Sequence, residues 1–130
     1  MLEVVAAILK RDDRILICQR PAHKARALQW EFPGGKVESG ETREEALIRE
    51  CREELDICLK PESIFTEVTH QYPDLTVHLT FFLCSLPSGE PRALEHHQIR
   101  WATPEEFSSV DFCPADKGVA DLICRKTGKK

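Results

Sequence analysis

Three glutamates lie close together in a stretch of the chain that has the composition of a helix. Glu50, Glu53 and Glu54, each advanced by about 100° per residue, fall within an arc of roughly 100° on a helix surface. Carboxylates this close repel and raise one another's pKa values unless a cation lies among them. A hard divalent ion such as Mg²⁺ binds carboxylate oxygens together with the phosphate oxygens of a substrate. The spacing therefore predicts a metal site for a phosphorylated substrate.

The alternative is an ordinary solvated helix face, which the three glutamates alone would favour. Their neighbours argue against it. The adjoining arc carries Leu47, Ile48, Cys51 and Leu55. A helix with this pattern buries one side and holds its carboxylates at the edge of the core, where they can border a cleft.

The glutamates belong to a longer run of spaced residues that resembles the Nudix box. Its fixed positions are a glycine, a glutamate, an Arg-Glu pair, a Glu-Glu pair and closing glycine and apolar residues. The matching residues are Gly35, Glu41, Arg49, Glu50, Glu53, Glu54 and Ile57. Such a match implies the Nudix fold and a hydrolase that acts on a nucleotide.

Two positions of the box depart from the family pattern. Cys51 stands at an apolar position, where a thiol packs as a small hydrophobic group. Asp56 replaces the closing glycine, and aspartate is among the residues that best tolerate the left-handed conformation of a helix C-cap. Neither departure removes a carboxylate, so we expect the metal site to be kept.

The resemblance extends to Trp30–Glu38 and is closest to the MutT-like branch, which splits nucleoside triphosphates into monophosphate and pyrophosphate. It implies that the carbonyl of Gly34 binds Mg²⁺, with Mn²⁺ as an alternative, beside Glu50, Glu53 and Glu54. It also implies that Arg49 orients these glutamates and that Glu41 braces the network. Glu95 matches a loop glutamate that binds metal or activates water, and either Glu53 or Glu95 would be the general base.

Three residues are candidates for nucleotide contacts. Arg20 matches an arginine that meets phosphate, although a surface arginine at a strand end would look the same. Asp116 stands where oxidised-guanine enzymes carry an amide. An ionised aspartate only accepts hydrogen bonds, so it would suit cytosine N4 or guanine N1 and N2, or it would serve as a helix N-cap. Phe32 would stack on the base or belong to the core. His96 and His97 are also available as bases, but adjacent loop histidines are usually exposed.

The resemblance implies a Mg²⁺-dependent pyrophosphohydrolase that removes oxidised or non-standard nucleotides such as 8-oxo-dGTP, a role in protecting DNA. A CTP- or dCTP-preferring enzyme is the alternative, because a relative in this branch has its own Pro-Ala-Asp and prefers cytidine nucleotides. A non-catalytic nucleotide-binding regulatory module would be expected to have lost box carboxylates. Enzymes that act on capped RNA or nucleotide sugars usually need extra domains or a basic surface. We expect neither in this short, acidic chain.

The periodicity of the chain alternates between strands and helices, which predicts an α/β protein. The predicted strands are Leu2–Leu9, Arg14–Gln19, Phe65–Tyr72, Leu75–Cys84 and Gln98–Ala102, and the first two are joined by a hairpin turn at Asp12-Asp13. Helices are predicted to begin at Thr42 and Thr103, with capping boxes to Glu45 and Glu106, and a last helix to span Asp116–Arg125. We expect a mixed sheet between helices, the α/β/α sandwich that the Nudix resemblance also implies.

Length and composition bear on the number of domains, the partners and the location of the protein. The chain has 130 residues and a formal charge of −4, which predicts one domain, residues 1–130, and argues against a sequence-independent grip on a nucleic-acid polymer. Its apolar N-terminal stretch is too short to span a membrane. Six scattered cysteines without a Cys-x-x-Cys pair suit a reducing cytoplasm. The oligomeric state stays open.

Overall fold

A mixed sheet of seven strands forms the centre of the computed structural model, which describes residues 1–126. The strands are β1 (Leu2–Arg11), β2 (Arg14–Gln19), β3 (Trp30–Glu31), β4 (Gly34–Lys36), β5 (Lys60–Gln71), β6 (Thr76–Ser85) and β7 (Gln98–Ala102). The helices are α1 (Arg43–Leu55), a 3₁₀ helix (Pro104–Ser109) and α2 (Pro114–Lys126). The predicted α/β class is confirmed.

Strand β1 is the centre of the sheet. It pairs in parallel with β6 and antiparallel with β4, and its far end forms an antiparallel hairpin with β2. Strand β5 lies antiparallel to β6, while β3 and β7 both pair with β2. The short pairing of β4 places Gly34 opposite Ala6 and Gly35 opposite Val5. The glycine turn is therefore fixed to the middle of the sheet.

The two faces of β1 enter two different halves of the core, as the period of two in a strand requires. One half packs against α1, and its members include Val5, Ala7, Leu9, Leu47, Cys51 and Leu55. The other half packs against α2, and its members include Ala6, Ile8, Val119, Ala120 and Ile123. The predicted arrangement of a sheet between helices is confirmed, and so is the apolar role of Cys51, which is buried.

Both ends of α1 follow the chemistry of the sequence. The Thr42 hydroxyl accepts from the Glu45 N–H at 3.1 Å, and the Glu45 carboxylate accepts from the Thr42 N–H at 2.9 Å, so the predicted capping box is confirmed. At the other end Asp56 has φ 58° and ψ 42°, the predicted left-handed C-cap. Its N–H donates to the carbonyl of Arg52 at 3.1 Å. The helix that carries the glutamates thus has defined limits.

Some boundaries differ from the predictions. Strand β5 begins five residues before the predicted Phe65, and register shifts at Pro61/Ser63 and Ile64/Thr66 explain this, because a bulge breaks the alternation on which a strand prediction rests. The segment after Thr103 forms a 3₁₀ helix. Helix α2 begins at Pro114 instead of Asp116, since proline is well suited to a first helical position.

A glycine in place of Asp56, at the C-terminal end of α1, should make the protein more stable than an asparagine there. Asp56→Gly is expected to raise the free energy of unfolding by about 0.5–1 kcal/mol relative to Asp56→Asn, because glycine enters the left-handed region without a Cβ penalty. Both variants lose the exposed ion pair between Arg92 and Asp56, so their difference isolates the backbone effect. Urea denaturation measures it. A glycine variant that is less stable than the asparagine variant would contradict the expectation.

Candidate active site

A cleft of about 420 Å³ opens where β1, β4 and α1 meet. The predicted site residues that line it are Arg20, Phe32, Gly34, Glu50, Glu54, Glu95 and Asp116. They come from the ends of strands, from α1, from the loop before β7 and from the first turn of α2. The fold therefore brings acids from distant parts of the sequence into one cavity.

The three glutamates of α1 have different surroundings. The side chains of Glu50 and Glu54 are 15% and 18% exposed, whereas that of Glu53 is 54% exposed. Glu50 and Glu54 line the cleft, as residues four apart on one helix face do. Glu53 lies one step round the helix, outside the set of described residues that line the cleft. The arc read from the sequence thus contains two half-buried carboxylates and one that water reaches.

Arg49 connects these carboxylates to the glycine turn. Its Nε and Nη2 donate to the two oxygens of Glu41 at 2.6 and 3.0 Å, and its Nη1 donates to Glu50 at 3.1 Å and to Glu53 at 3.3 Å. Nη2 also donates to the carbonyl of Lys36 at 3.0 Å. The Glu41 carboxylate raises the pKa of Arg49, and the guanidinium lowers the pKa of Glu41. Such fork-shaped contacts fix the direction of each carboxylate.

Glu54 lies in the most acidic part of the cleft. Burial raises its pKa to about 9, and the nearby charges of Glu50, Glu31 and Glu95 add to the effect. Without a cation, Glu54 therefore keeps its proton at neutral pH. A divalent ion that binds among these oxygens would remove that proton. The set contains only hard oxygen donors, which fits Mg²⁺ or a similar ion.

Two adjacent glycines make room for this arrangement in different ways. A Cβ atom at Gly35 would collide with the carboxyl group of Glu50. A Cβ atom at Gly34 would collide with the backbone of Val5 in the neighbouring strand. Gly35 thus leaves space for a cleft side chain, while Gly34 permits the close pairing of β4 with β1.

Asp116 lies at the apolar side of the same cleft. Its side chain accepts a hydrogen bond from the Phe32 N–H at 3.4 Å, and the residue is 5% exposed. Burial raises its pKa well above the ordinary value, and the charge of Glu31 adds to this effect. The raised pKa favours the protonated form of the carboxyl group, which can donate as well as accept. The alternative prediction of an N-cap is wrong, because α2 begins at Pro114 and Asp116 lies inside its first turn.

Arg20 is held at the edge of the cleft by a residue that the sequence analysis missed. Its Nη1 donates to Glu31 Oε1 at 2.9 Å and its Nε to the carbonyl of Ala25 at 2.7 Å. Glu31 lies in β3 between the buried aromatic residues Trp30 and Phe32. Alternation along a strand turns it away from them, and that signal was available in the sequence.

Phe32 has neighbours that limit its movement. Its ring stacks on Phe112 at a centroid distance of 5.5 Å and meets Phe81 and Phe107 edge-on. It also borders the cleft. Phe32 therefore belongs to the core, as one interpretation predicted, and its stacking on a base stays a prediction.

The loop that carries Glu95 is fixed at both ends. The Leu94 N–H donates to the carbonyl of Glu54 at 3.1 Å, and the His97 N–H donates to the carbonyl of Gln19 at 2.9 Å. Glu95 and His97 are exposed, but the His96 side chain is only 5% exposed. The expectation that both histidines face solvent is therefore wrong for His96, whose ring turns into the cleft.

The comparison with known proteins agrees with this geometry. The NUDIX domain matches residues 4–122. The chain belongs to the Nudix family. It is 40% identical to the CTP pyrophosphohydrolase of Escherichia coli K12 over 89% of this chain and 86% of that protein. It is 34% identical to the 8-oxo-dGTP diphosphatase of the same organism over 95% of this chain and 97% of that protein.

Solved structures share the fold of this chain. The solution structure of the E. coli ORF135 protein superposes with a TM-score of 0.84 at 36% identity, over 99% of this chain and 92% of that one. A MutT protein from Methanosarcina mazei Go1 superposes with a TM-score of 0.87 at 22% identity, over 98% and 96% of the two chains, which shows the shared fold. The protein is thus a Nudix hydrolase, and hydrolases of this family generally use divalent metal ions, as the donor set here predicts.

Within residues 1–126, no Nudix helix is both long enough and apolar enough to cross a membrane.

The two glycines give a matched pair of variants. Gly35→Ala should displace the flexible Glu50 side chain, lowering Mn²⁺ affinity about 10-fold while changing the free energy of unfolding by less than about 1 kcal/mol. Gly34→Ala should lower that free energy by about 2 kcal/mol or more, because backbone cannot yield as a side chain can. Electron paramagnetic resonance of free Mn²⁺ and urea denaturation measure the two effects. Equal loss of stability in both variants would contradict the assignment.

Proposed function

We propose that this Nudix hydrolase is a Mg²⁺-dependent nucleoside triphosphate pyrophosphohydrolase that prefers 8-oxo-dGTP, with CTP or dCTP as the second candidate. The observation that carries the proposal is the pairing, within one cleft, of the carboxylates Glu50, Glu54 and Glu95, here called the carboxylate platform, with the buried carboxyl group of Asp116, whose pKa is raised. The platform suits a metal-bound triphosphate, and Asp116 suits the edge of a base. Removal of oxidised precursors would protect DNA, and a cytoplasmic location fits six free cysteines.

The chain's own groups account for binding of the triphosphate. Glu50, Glu53, Glu54, Glu95 and the carbonyl of Gly34 would hold the divalent ion, and Glu54 gives up its proton to do so. When bound, such an ion neutralises phosphate charge and lowers the pKa of water. Arg20, held in place by Glu31, would contact a phosphate oxygen.

The reaction itself is a hydrolysis at phosphorus. The oxygen of water forms a bond to the β-phosphorus, and the bond from that phosphorus to the oxygen bridging the α- and β-phosphates breaks. The products are the nucleoside monophosphate and pyrophosphate. Glu53 or Glu95 would accept the proton of water, since solvent reaches both side chains and a carboxylate can act as a general base. Arg49 would keep Glu50 and Glu53 directed at the site.

The raised pKa of Asp116 supports a choice between bases. A neutral carboxyl group offers one donor and one acceptor side by side. It complements 8-oxoguanine, which presents the O6 acceptor beside the N7–H donor, and cytosine, which presents N3 beside the N4 amino group. On its O6/N7 edge ordinary guanine presents two acceptors, so a protonated Asp116 that contacts this edge would favour 8-oxoguanine over guanine. The named activities of the two E. coli relatives involve these same two bases.

A non-catalytic nucleotide-binding module is the alternative from another class. Such a module would not need all the glutamates of the box. Yet Glu50, Glu54 and Glu95 share one cleft, and Arg49 donates hydrogen bonds to Glu50 and Glu53. Maintaining so many like charges together is costly unless they serve a cation. The alternative is therefore disfavoured.

A nucleotide panel tests the proposed reaction. Purified protein with Mg²⁺ is expected to release pyrophosphate from 8-oxo-dGTP faster than from dGTP, CTP, dCTP or 5-methyl-dCTP, and to leave ADP-ribose intact. Glu53→Gln should lower kcat by about 10²–10⁴-fold, because it removes a ligand and a candidate base. Coupled assays for pyrophosphate and for phosphate measure the products. Absence of metal-dependent release from every nucleotide would refute the proposal.

Asp116 has an informative isosteric variant. Asp116→Asn should keep the order of preference and lower kcat/KM by only a few-fold, since an amide also offers a donor beside an acceptor. Asp116→Ala should lower kcat/KM for the preferred nucleotide by about 10²-fold or more, and less for poor substrates. Steady-state kinetics with 8-oxo-dGTP, dGTP and dCTP provide the comparison. A reversal of base preference in the asparagine variant would mean that Asp116 acts as an ionised acceptor.

A further inference from the structure

His96 lies in the cleft between Glu31, which holds Arg20, and Glu54 on α1. Its Nε2 is 3.2 Å from Glu31 Oε2 and 4.0 Å from Glu54 Oε1. The ring is almost fully buried, and its Nδ1 has no hydrogen-bond partner among residues 1–126. An ionised carboxylate can only accept, so Nε2 carries the hydrogen and donates to Glu31. One polar contact therefore fixes the direction of a buried ring.

Glu31 is held at both of its oxygens. Oε1 accepts from Arg20 at 2.9 Å, and Oε2 accepts from His96. These three residues come from the end of β2, from β3 and from the loop before β7. The backbone contacts of that loop to Glu54 and Gln19 keep the ring in place. The plane of the Glu31 carboxylate is thus defined by two donors on opposite sides.

The same ring separates Glu31 from Glu54. Both acids face the cleft, and the charge of Glu31 acts on Glu54. Without the imidazole between them, a carboxyl and a carboxylate can hydrogen-bond to each other and turn away from their other partners. The imidazole donates to Glu31 and leaves Glu54 free to hydrogen-bond with Glu50.

We propose that His96 is a positioning residue, which holds Glu31 against Arg20 and keeps Glu54 available as a ligand for the divalent cation. The proposal rests on the metal-dependent function proposed above. Outer contacts of this kind commonly change metal affinity or activity about 10–100-fold when they are removed. His96 itself touches neither the reacting phosphorus nor the cation in this role.

Binding of Mn²⁺ without nucleotide tests the proposal directly. His96→Phe keeps a ring but loses the donor, and we expect Mn²⁺ affinity to fall about 10-fold. His96→Gln places an amide N–H near the position of Nε2 and should bind within about 3-fold of the wild type. His97→Phe, in the adjacent exposed position, is the matched control and should leave affinity unchanged. Electron paramagnetic resonance of free Mn²⁺ gives each dissociation constant.

A double-mutant cycle locates the effect. Glu31→Gln should also lower Mn²⁺ affinity. The His96→Phe/Glu31→Gln double variant should bind Mn²⁺ as well as the single variant that has the lower affinity, because the two residues act through one contact. The KM for the preferred triphosphate should rise in His96→Phe and recover in His96→Gln, since Arg20 depends on the same contact. Multiplicative losses in the double variant would overturn the proposal.

The remaining outcomes are also decisive. Circular dichroism melting reports on folding, and if His96→Phe does not fold, His96→Asn replaces it, since its shorter amide cannot reach Glu31. Wild-type affinity in the donor-free variant overturns the role of His96 even when the enzyme hydrolyses triphosphates. Wild-type protein that binds Mn²⁺ but cleaves no triphosphate refutes the proposed function instead, and the two failures are thereby distinguished.

Discussion

Crowding of negative charge is the constraint on which the rest of the structure depends. Glu31, Glu50, Glu54 and Glu95 border one cleft, and like charges at such separations are destabilising unless they are compensated. Compensation occurs in three ways. Arg49 binds Glu50 from outside the cleft, a proton remains on Glu54, and Arg20 with His96 binds Glu31. The folded chain thus tolerates the acids while leaving a place for a cation.

The scaffold supplies this placement through a small number of backbone features. The pairing of β4 with β1 brings the glycine turn against the sheet, and Arg49 then joins the carbonyl of Lys36 to the glutamates of α1. The capping box at Thr42 and the left-handed residue at Asp56 define where α1 starts and stops. A shift of α1 by one residue would rotate its acids by about 100° and remove them from the cleft.

Local signals in the sequence were enough to predict the helix α1, its caps and the β1–β2 hairpin, since each depends on residues within a few positions of one another. Glu31 was missed although its alternation with Trp30 and Phe32 was visible in the sequence. The burial of His96 was missed because its contact with Glu31 joins residues 65 positions apart. Strands β3 and β4 span only two and three residues and depend on their partner strands. The start of α2 was misplaced because Asp116 is a good N-cap residue, whereas Pro114 occupies the first turn.

Burial is the main cause of the raised pKa values of two acids in the cleft, yet their neighbours suit them to different chemical roles. Burial acts on both Glu54 and Asp116. Glu54 adjoins other carboxylates, so a cation that binds there converts it into an ionised ligand. Asp116 is buried beside Phe32, whose N–H it accepts; burial outweighs that contact and raises its pKa, which favours the protonated form that can donate to a base. Different environments commonly assign acids to different tasks in this way. Because the charge of Glu31 raises both pKa values, the position of Glu31 couples the metal end of the cleft to its base end, and any group that fixes Glu31 acts on both.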